Sequence, residues 1–241
     1  MTPIPAIKAV FPEKRIAAPP TALQRAQVQA VLRFHQSLPG YGITPLHRLP
    51  ALARHLGVGN IYVKDESFRF GLKAFKALGA TWALARIVSA RLGRAPEAMD
   101  FPTLRQAAAR LGELVFVTAT DGNHGRGLAW AAAQLGCRAV VFMPAGSSPH
   151  RVSAIAAEGA EVRVTEVNYD GAVRMAAGAA AERGWHLVQD TALPGYEEIP
   201  VWIVQGYTTM AAEVLAQLAE RGLPTPTQLL LQAGVGSLAA S

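Results

Sequence analysis

The sequence predicts an α/β protein with open parallel sheets in two domains. From about position 113 onward, short apolar runs rich in β-branched residues alternate with helical segments of ten or more residues. This alternation is typical of βαβ units, which build parallel sheets. The strand runs between 113 and 190 predict one small domain, and the elements before and after them are assigned to a second, larger one.

The chain before position 113 predicts three helices, a short fourth and one strand. Thr21 is placed to cap a helix through ALQRAQVQAVLRFHQSL, which GYGITPL breaks. PALARHLG predicts a short helix and NIYVKDE a strand, and a helix containing Lys76 follows. A proline-containing linker near 95–102 then precedes a short helix at 103–111.

The chain after position 113 predicts the regular part of the fold. Strands are predicted at ELVFVTAT (113–120), RAVVFMP (138–144), EVRVTEV and HLVQD, with helices at HGRGLAWAAAQLG, PHRVSAIAAEG and YDGAVRMAAGAAAERG between them. Pro200 opens a long helix that ends near Arg221. TQLLLQAG (227–234) predicts a further strand.

Composition argues against several classes of protein. The 241 residues are 51% hydrophobic and 17% charged, so a folded core is expected. The net charge of +6 is scattered, without a basic run or basic–aromatic interleaving, so no nucleic-acid partner is expected. One cysteine, Cys137, is typical of a reducing compartment. Neither a membrane span nor a signal peptide is recognisable, and the expected location is the cytoplasm.

Three polar clusters follow predicted strands directly. They are TATDGNHGRG (118–127), QDTALPGY (189–196) and QAGVGS (232–237). Each alone is ordinary turn chemistry. Open parallel sheets bind ligands beyond the carboxyl ends of their strands, so together the clusters predict a site there. The GVGS turn exposes backbone N–H groups that can hold a phosphate, although it has neither P-loop nor dinucleotide-fingerprint spacing.

Two lysines, Lys73 and Lys76, lie three positions apart in FGLKAFKALGA at a predicted helix start. Most lysines face solvent. An amine near the positive end of a helix and beside a second cation is, however, easier to deprotonate and so more nucleophilic. A lysine nucleophile, a phosphate cradle, an Asn–His loop and the carboxylates Asp121 and Asp190 suit pyridoxal phosphate, which carries both an aldehyde and a phosphate.

These motifs also carry a resemblance. FGLKAFKALGA, TDGNHGRG and QAGVG, in that order, resemble the tryptophan-synthase-β-like (fold type II) family of pyridoxal-phosphate enzymes. Relatives acting on serine or threonine typically have Ser-Gly-Asn-His in the second motif. This chain instead has Asp-Gly-Asn-His, which resembles the branch that acts on 2,3-diaminopropionate. Three further patterns resemble the same branch, namely KDES.RFG, FHQ...GY..TPL and VQDTA..GY..IP.WI.QGY. The resemblance covers nearly the whole chain.

The resemblance implies a role for each motif. Lys76 aligns with the Schiff-base lysine, and Asn123 lies by the ring hydroxyl of the cofactor. The phosphate is held by Gly234, Val235, Gly236 and Ser237. Lys73 falls where the family more often has a neutral polar residue, and we expect it to face solvent. His124 is not assigned a catalytic role.

The implied reaction is α,β-elimination of ammonia from 2,3-diaminopropionate, giving pyruvate and ammonia. The cationic β-substituent favours nearby carboxylates. Action on both enantiomers requires a base on each face of a planar intermediate: Lys76 serves one face and Asp121 the other, with Asp190 assisting. Alternatives left open are a related ammonia-lyase or dehydratase acting on serine or threonine, and a non-catalytic fragment.

The resemblance also predicts the domain layout. Residues 1–75 form the N-terminal part of the large cofactor domain, 76–190 the small α/β domain, and 191–241 the return to the large domain. Because the chain stops just inside the phosphate-binding turn, the larger domain is expected to be incomplete at its C-terminus. A homodimer is the implied assembly.

Overall fold

The structure, a computed structural model, describes residues 20–241. The proline-rich opening and the first part of the predicted 1–75 domain therefore lie outside the described residues. The N-terminal elements are α1 (Arg25–Gln36), β1 (Leu46–Arg48), α2 (Pro50–His55), β2 (Tyr62–Lys64), α3 (Lys76–Arg91) and α4 (Phe101–Ala108).

The remaining elements alternate as the sequence predicts. They are β3 (Val115–Ala119), α5 (Asn123–Leu135), β4 (Arg138–Met143), α6 (Pro149–Ala156), β5 (Glu161–Val164), α7 (Tyr169–Arg183), β6 (His186–Leu187) and α8 (Glu198–Glu220). β3 to β6 form one sheet in the order β5–β4–β3–β6, and every neighbouring pair is parallel. The predicted α/β class and parallel sheet are confirmed.

The second sheet of the described residues is small and antiparallel. β1 and β2 pair with Leu46 opposite Lys64 and Arg48 opposite Tyr62. The sequence predicted β2 but not β1, because only three residues of the Gly- and Pro-rich segment are extended. The prediction of a second parallel sheet is therefore not met within residues 20–241, where β1 and β2 are the only strands outside the four-stranded sheet.

The predicted strand at 227–234 is wrong, because these residues form no strand in the structure. Leu229 and Leu230 are 70% and 95% exposed. An extended segment is stabilised by hydrogen bonds to a neighbouring strand and by burial of one face. Within residues 20–241 this segment has neither, so its apolar composition alone does not make a strand.

Two helix starts differ from the prediction. Thr21 does not cap α1: it lies in a separate 3₁₀ turn, and the helix begins after Gln24 without a side-chain cap. α4 begins two residues earlier than predicted, because the Asp100 carboxylate accepts from the N–H of Thr103. Pro102 is tolerated in the first helical turn, where its missing N–H would have no partner.

α3 is buried almost completely and packs against both α5 and α8. Its contact with α8 depends on two glycines. A Cβ atom on Gly79 would lie 2.6 Å from Cε1 of Tyr207 and 2.9 Å from the carbonyl oxygen of Ile203. A Cβ atom on Gly206 would overlap the carbonyl oxygen of Leu78. The two helix backbones therefore approach more closely than any side chain at these positions allows.

No helix within residues 20–241 is both long enough and apolar enough to cross a membrane.

The α3–α8 contact predicts the effect of adding one methyl group. Gly206→Ala should lower the free energy of unfolding by about 2 kcal/mol, because overpacking a rigid backbone contact outweighs the gain in helix propensity. Gly178→Ala in α7 is the matched control, since a Cβ there meets nothing within 4 Å. It should be neutral or stabilising by up to about 1 kcal/mol. Urea denaturation of both variants measures the difference, and equal effects would contradict this packing account.

Candidate active site

The candidate site lies at the carboxyl ends of β3 and β6. Gln189 ties these two strand ends together, because its Oε1 accepts hydrogen bonds from Thr118 Oγ1 at 2.9 Å and from the backbone N–H of Ala119 at 3.1 Å. Its Nε2 donates to the hydroxyl of Tyr169 at 3.0 Å. The loop before α5 and the residue Asp190 therefore share one edge of the sheet.

Lys76 and Asp190 form an ion pair at this edge. Nζ of Lys76 donates to Oδ2 of Asp190 at 2.8 Å. The Lys76 side chain is 21% exposed and that of Asp190 is 7% exposed. Burial alone would raise the pKa of Asp190, but its electrostatic interactions with His124 and Lys76 and the hydrogen bond from Lys76 outweigh burial and lower the pKa. The carboxylate is therefore ionised at neutral pH.

The backbone at Lys76 is placed by a glycine of α5. A Cβ atom on Gly127 would lie 2.8 Å from the backbone nitrogen of Ala77 and 2.9 Å from the carbonyl carbon of Lys76. Real Cβ contacts are essentially never that short. The start of α3, where Lys76 is the first helical residue, can reach the strand ends because α5 presents bare backbone there.

The segment before Lys76 is held in an unusual conformation. Phe70 and Lys73 have positive φ angles of 50° and 54°, which L-residues seldom adopt. The Phe70 ring stacks on Trp130 with centroids 4.5 Å apart, and Nη1 of Arg126 donates to the carbonyl of Leu72 at 2.9 Å. The Lys73 side chain is exposed, in agreement with the solvent-facing expectation.

The KDES.RFG and GY..TPL motifs supply a separate ion cluster, which is buried at its centre. Arg69 donates through Nη1 and Nη2 to both carboxylate oxygens of Glu213, at 2.9 Å and 2.8 Å, and also to Glu66. Lys64 lies 2.6 Å from the same Glu213, whose hydrogen bonds include one from the hydroxyl of Tyr41. These residues fasten the segment before Lys76 to α8 and play a structural part.

Tyr207 lies beside the Lys76 amine. Nζ of Lys76 is 5.6 Å from the centroid of the Tyr207 ring, and Phe75 meets the same ring edge-to-face. The Tyr207 side chain is completely buried, and its hydroxyl has no hydrogen-bond partner among residues 20–241. Burial, and secondarily the charge of Asp190, raise its pKa well above the usual value, so the phenol is neutral.

The structure brings some of the predicted site residues together and leaves others apart. Ser237 Oγ donates to the backbone carbonyl of Asp190 at 3.0 Å, so the predicted phosphate turn lies beside the ion pair. Gly236 in that turn has φ +91°, which favours glycine. Gly234 and Val235 are exposed, and Asn123 is exposed at the first position of α5.

Asp121 is not in contact with Lys76 in the part of the chain that the structure describes. Its side chain is 75% exposed and lies 3.7 Å from Nη1 of Arg151 on α6, and that nitrogen also donates to the Asp121 carbonyl at 3.0 Å. The assignment of Asp121 as a base on the second face remains a prediction.

Sequence reasoning missed three contributors to the site, namely Gly127, Tyr207 and the contact between His124 and Asp190. One signal was present for Gly127. Glycine inside a predicted helix is unfavourable, and the pair of glycines in NHGRG therefore indicates a close approach of another backbone. No sequence signal placed Tyr207 or paired His124 with Asp190, because these contacts join residues more than sixty positions apart.

Residues 37–241 match the sequence profile of a family described as pyridoxal-phosphate dependent enzymes. The chain belongs to this family. It is 54% identical over 213 residues to the diaminopropionate ammonia-lyase of Salmonella typhimurium, a match that covers 88% of this chain and 53% of the relative. It is 50% identical over 216 residues to that of Escherichia coli K12, with coverage of 89% and 53%. The L-threonine ammonia-lyase of Geobacter sulfurreducens is 36% identical over 124 residues, covering 52% of this chain and 28% of the relative.

The three-dimensional structure also resembles that of a solved family member. The holo crystal structure of Escherichia coli diaminopropionate ammonia-lyase superposes with a TM-score of 0.87 and 48% identity, covering 92% of this chain and 56% of that one. The fold type II topology predicted from the motifs is thereby confirmed. The chain spans about half the length of the curated diaminopropionate ammonia-lyases that it matches. The domain boundaries at 75/76 and 190/191 remain predictions.

Because the Tyr207 hydroxyl has no partner among residues 20–241, removing it should not lower the free energy of unfolding. Tyr207→Phe should leave the free energy of unfolding unchanged or raise it by about 1 kcal/mol, because it removes a buried polar group without a partner. Tyr41→Phe makes the same chemical change but removes a 2.8 Å hydrogen bond to Glu213, and should lower the free energy by about 1–2 kcal/mol. Urea denaturation of both variants is the measurement. A loss at Tyr207 as large as that at Tyr41 would mean that the Tyr207 hydroxyl has a partner.

Proposed function

We propose that this chain carries the lysine-bearing part of a site for pyridoxal-phosphate-dependent elimination of ammonia from 2,3-diaminopropionate, after which water hydrolyses the elimination product to pyruvate and a second ammonia. The observation that carries the proposal is the Lys76–Asp190 pair at the ends of parallel strands, with an amine that is partly exposed. The two diaminopropionate ammonia-lyases at 50% and 54% identity support the choice of substrate.

The residues at the site fit pyridoxal phosphate. Lys76 provides a primary amine for the aldehyde. Ser237 of the turn Gly234–Val235–Gly236–Ser237 contacts Asp190, and the exposed Gly234 and Val235 are available to the phosphate. Asn123, exposed at the start of α5, is available for the ring hydroxyl. When bound, the cofactor supplies a conjugated ring that accepts electrons from the α-carbon of the substrate.

Lys76, Asp190 and Asp121 have different roles in binding and proton transfer. Nζ of Lys76 would hold the cofactor, and as a free neutral amine it would accept the α-proton on its own face of the substrate. The ionised carboxylate of Asp190 attracts the β-ammonium group of diaminopropionate. Asp121 serves the opposite face. The loop that carries it follows β3 directly and is anchored to Arg151, which positions the Asp121 backbone.

A second candidate function is elimination from serine or threonine by the same fold. The partial match to an L-threonine ammonia-lyase supports it, and Asp121 argues against it, because a carboxylate suits a cationic leaving group better than a hydroxyl. We further propose that the protein acts as a homodimer in the cytoplasm and has no nucleic-acid partner, as the resemblance and the scattered charge imply. Sedimentation equilibrium tests the dimer.

The assignment of Lys76 predicts where the cofactor attaches. Pyridoxal phosphate followed by borohydride should label the Lys76 peptide, and Lys76→Ala should abolish that label. Lys73→Ala is the matched control: Lys73 lies three residues away with an exposed side chain, and its loss should leave the label intact. Peptide mass mapping measures the adduct. Equal labelling of all the lysines, or of none, would show that these 241 residues do not assemble the site.

The two-base assignment predicts a difference between enantiomers. Where the protein turns over diaminopropionate, Asp121→Asn should reduce kcat for the D-isomer by at least about 100-fold, the size of a typical general-base contribution. Asp100→Asn is the control, because that exposed carboxylate caps α4. Pyruvate release from each pure enantiomer is the measurement. Full D-isomer activity in Asp121→Asn would remove Asp121 from the mechanism.

A further inference from the structure

His124 is a buried imidazole that the proposed chemistry does not yet use. It is the second residue of α5 and is only 3% exposed. Its Nε2 lies 2.8 Å from the carbonyl oxygen of Val188, just after β6. Because a carbonyl oxygen only accepts hydrogen bonds, Nε2 carries the hydrogen. This hydrogen bond fixes the orientation of the ring. Whether the other nitrogen, Nδ1, carries a proton depends on the groups around it.

That other nitrogen, Nδ1, faces the Lys76–Asp190 pair. It lies 3.8 Å from Oδ2 of Asp190, the oxygen that accepts the hydrogen bond from Lys76 at 2.8 Å. Nδ1 has no hydrogen-bond partner among residues 20–241, although it is buried. A neutral ring presents a lone pair to the carboxylate, whereas a protonated ring presents an N–H group and a positive charge. One carboxylate oxygen therefore has two basic neighbours.

The other titratable groups around Asp190 cannot supply a positive charge. Those that face it from α7, from the segment after β6 and from α8 are Tyr169, Tyr196 and Tyr207. In all three, burial raises the pKa of the phenol, and the charge of Asp190 adds to that effect, so they stay neutral. Among the groups that act on Asp190, only Lys76 on α3 and His124 on α5 can be cationic.

We propose that His124 is a positioning residue for Asp190, which keeps the Asp190 carboxylate charged and in place whenever the Lys76 amine is neutral. The inference rests on the proposed function, in which the Lys76 amine has to be neutral to accept the α-proton. At that point the nitrogen 2.8 Å from Asp190 no longer carries a positive charge. Without a second cation, a carboxylate that is only 7% exposed would take up a proton and lose its attraction for the substrate ammonium.

The test measures Asp190 directly in the cofactor-free chain. The pKa of the Asp190 carboxyl is followed by ¹³C NMR in the unmodified protein, in His124→Gln and in His186→Gln. A glutamine at 124 retains an amide N–H for the Val188 carbonyl but brings no charge. The pKa of Asp190 should rise by about one pH unit in His124→Gln, since an opposite charge is removed from its neighbourhood. His186, a half-buried histidine on β6 that pairs with Arg91, is the matched control and should leave the Asp190 pKa unchanged.

An unchanged Asp190 pKa in His124→Gln would overturn the proposal. If that variant does not fold, the reciprocal experiment decides: in Asp190→Asn, the ¹⁵N signal of His124 Nδ1 should shift, and an unshifted signal would equally overturn the proposal. Neither measurement uses pyridoxal phosphate. Failure to label Lys76 would therefore count against the proposed function alone, and an unresponsive Asp190 against the role of His124 alone.

Discussion

The close packing of α3 between α5 and α8 is the constraint on which the candidate site depends. Gly79 and Gly206 let the α3 and α8 backbones meet, and Gly127 lets α5 meet the backbone of Lys76 and Ala77. A side chain at any of these positions would force the helices apart. The amine of Lys76 reaches the carboxylate of Asp190 because its helix begins at the carboxyl edge of the parallel sheet.

Two groups of buried charges lie beside these helices, the Arg69–Glu213 cluster and the Lys76–Asp190 pair. Their burial and hydrogen bonding differ, which indicates a structural role for the first and a chemical role for the second. In the Arg69–Glu213 cluster, both side chains are at most 1% exposed, and each carboxylate oxygen of Glu213 accepts a hydrogen bond from the guanidinium. Removing one partner from such a cluster lowers the free energy of unfolding by several kcal/mol. Because its charged groups are buried and paired, the cluster has no group available to a ligand. The Lys76–Asp190 pair is partly open, and two buried polar atoms without partners in residues 20–241, Nδ1 of His124 and the Tyr207 hydroxyl, lie near it. Buried polar atoms without partners are rare in native structures, and both of these lie beside the candidate site.

The sequence predicted the local parts of this arrangement and missed the parts that depend on distant contacts. Apolar runs separated by helices located β3 to β6, and the cluster at 189–196 placed Asp190 beyond the end of a strand. Lys76 was predicted only at a helix start, and the resemblance assigned it to the site. The Leu-rich run at 227–234 was mistaken for a strand, because composition does not reveal whether a neighbouring strand is present. The role of Gly127 depends on which backbone crosses α5, and that is fixed only by the tertiary fold. The contact of Asp121 with Arg151, thirty positions away, likewise depends on the tertiary fold.

Membership of the pyridoxal-phosphate dependent family, over residues 37–241, agrees with a site organised around the first residue of α3. The most direct test of the account is the rate at which pyridoxal phosphate reacts with Lys76 in Gly127→Ala, compared with Gly178→Ala. The account predicts a slower reaction in Gly127→Ala, because the added methyl displaces the backbone that carries the amine, and an unchanged rate in Gly178→Ala, where a Cβ meets nothing within 4 Å. Equal rates in the two variants would contradict the claim that helix packing positions the reactive lysine.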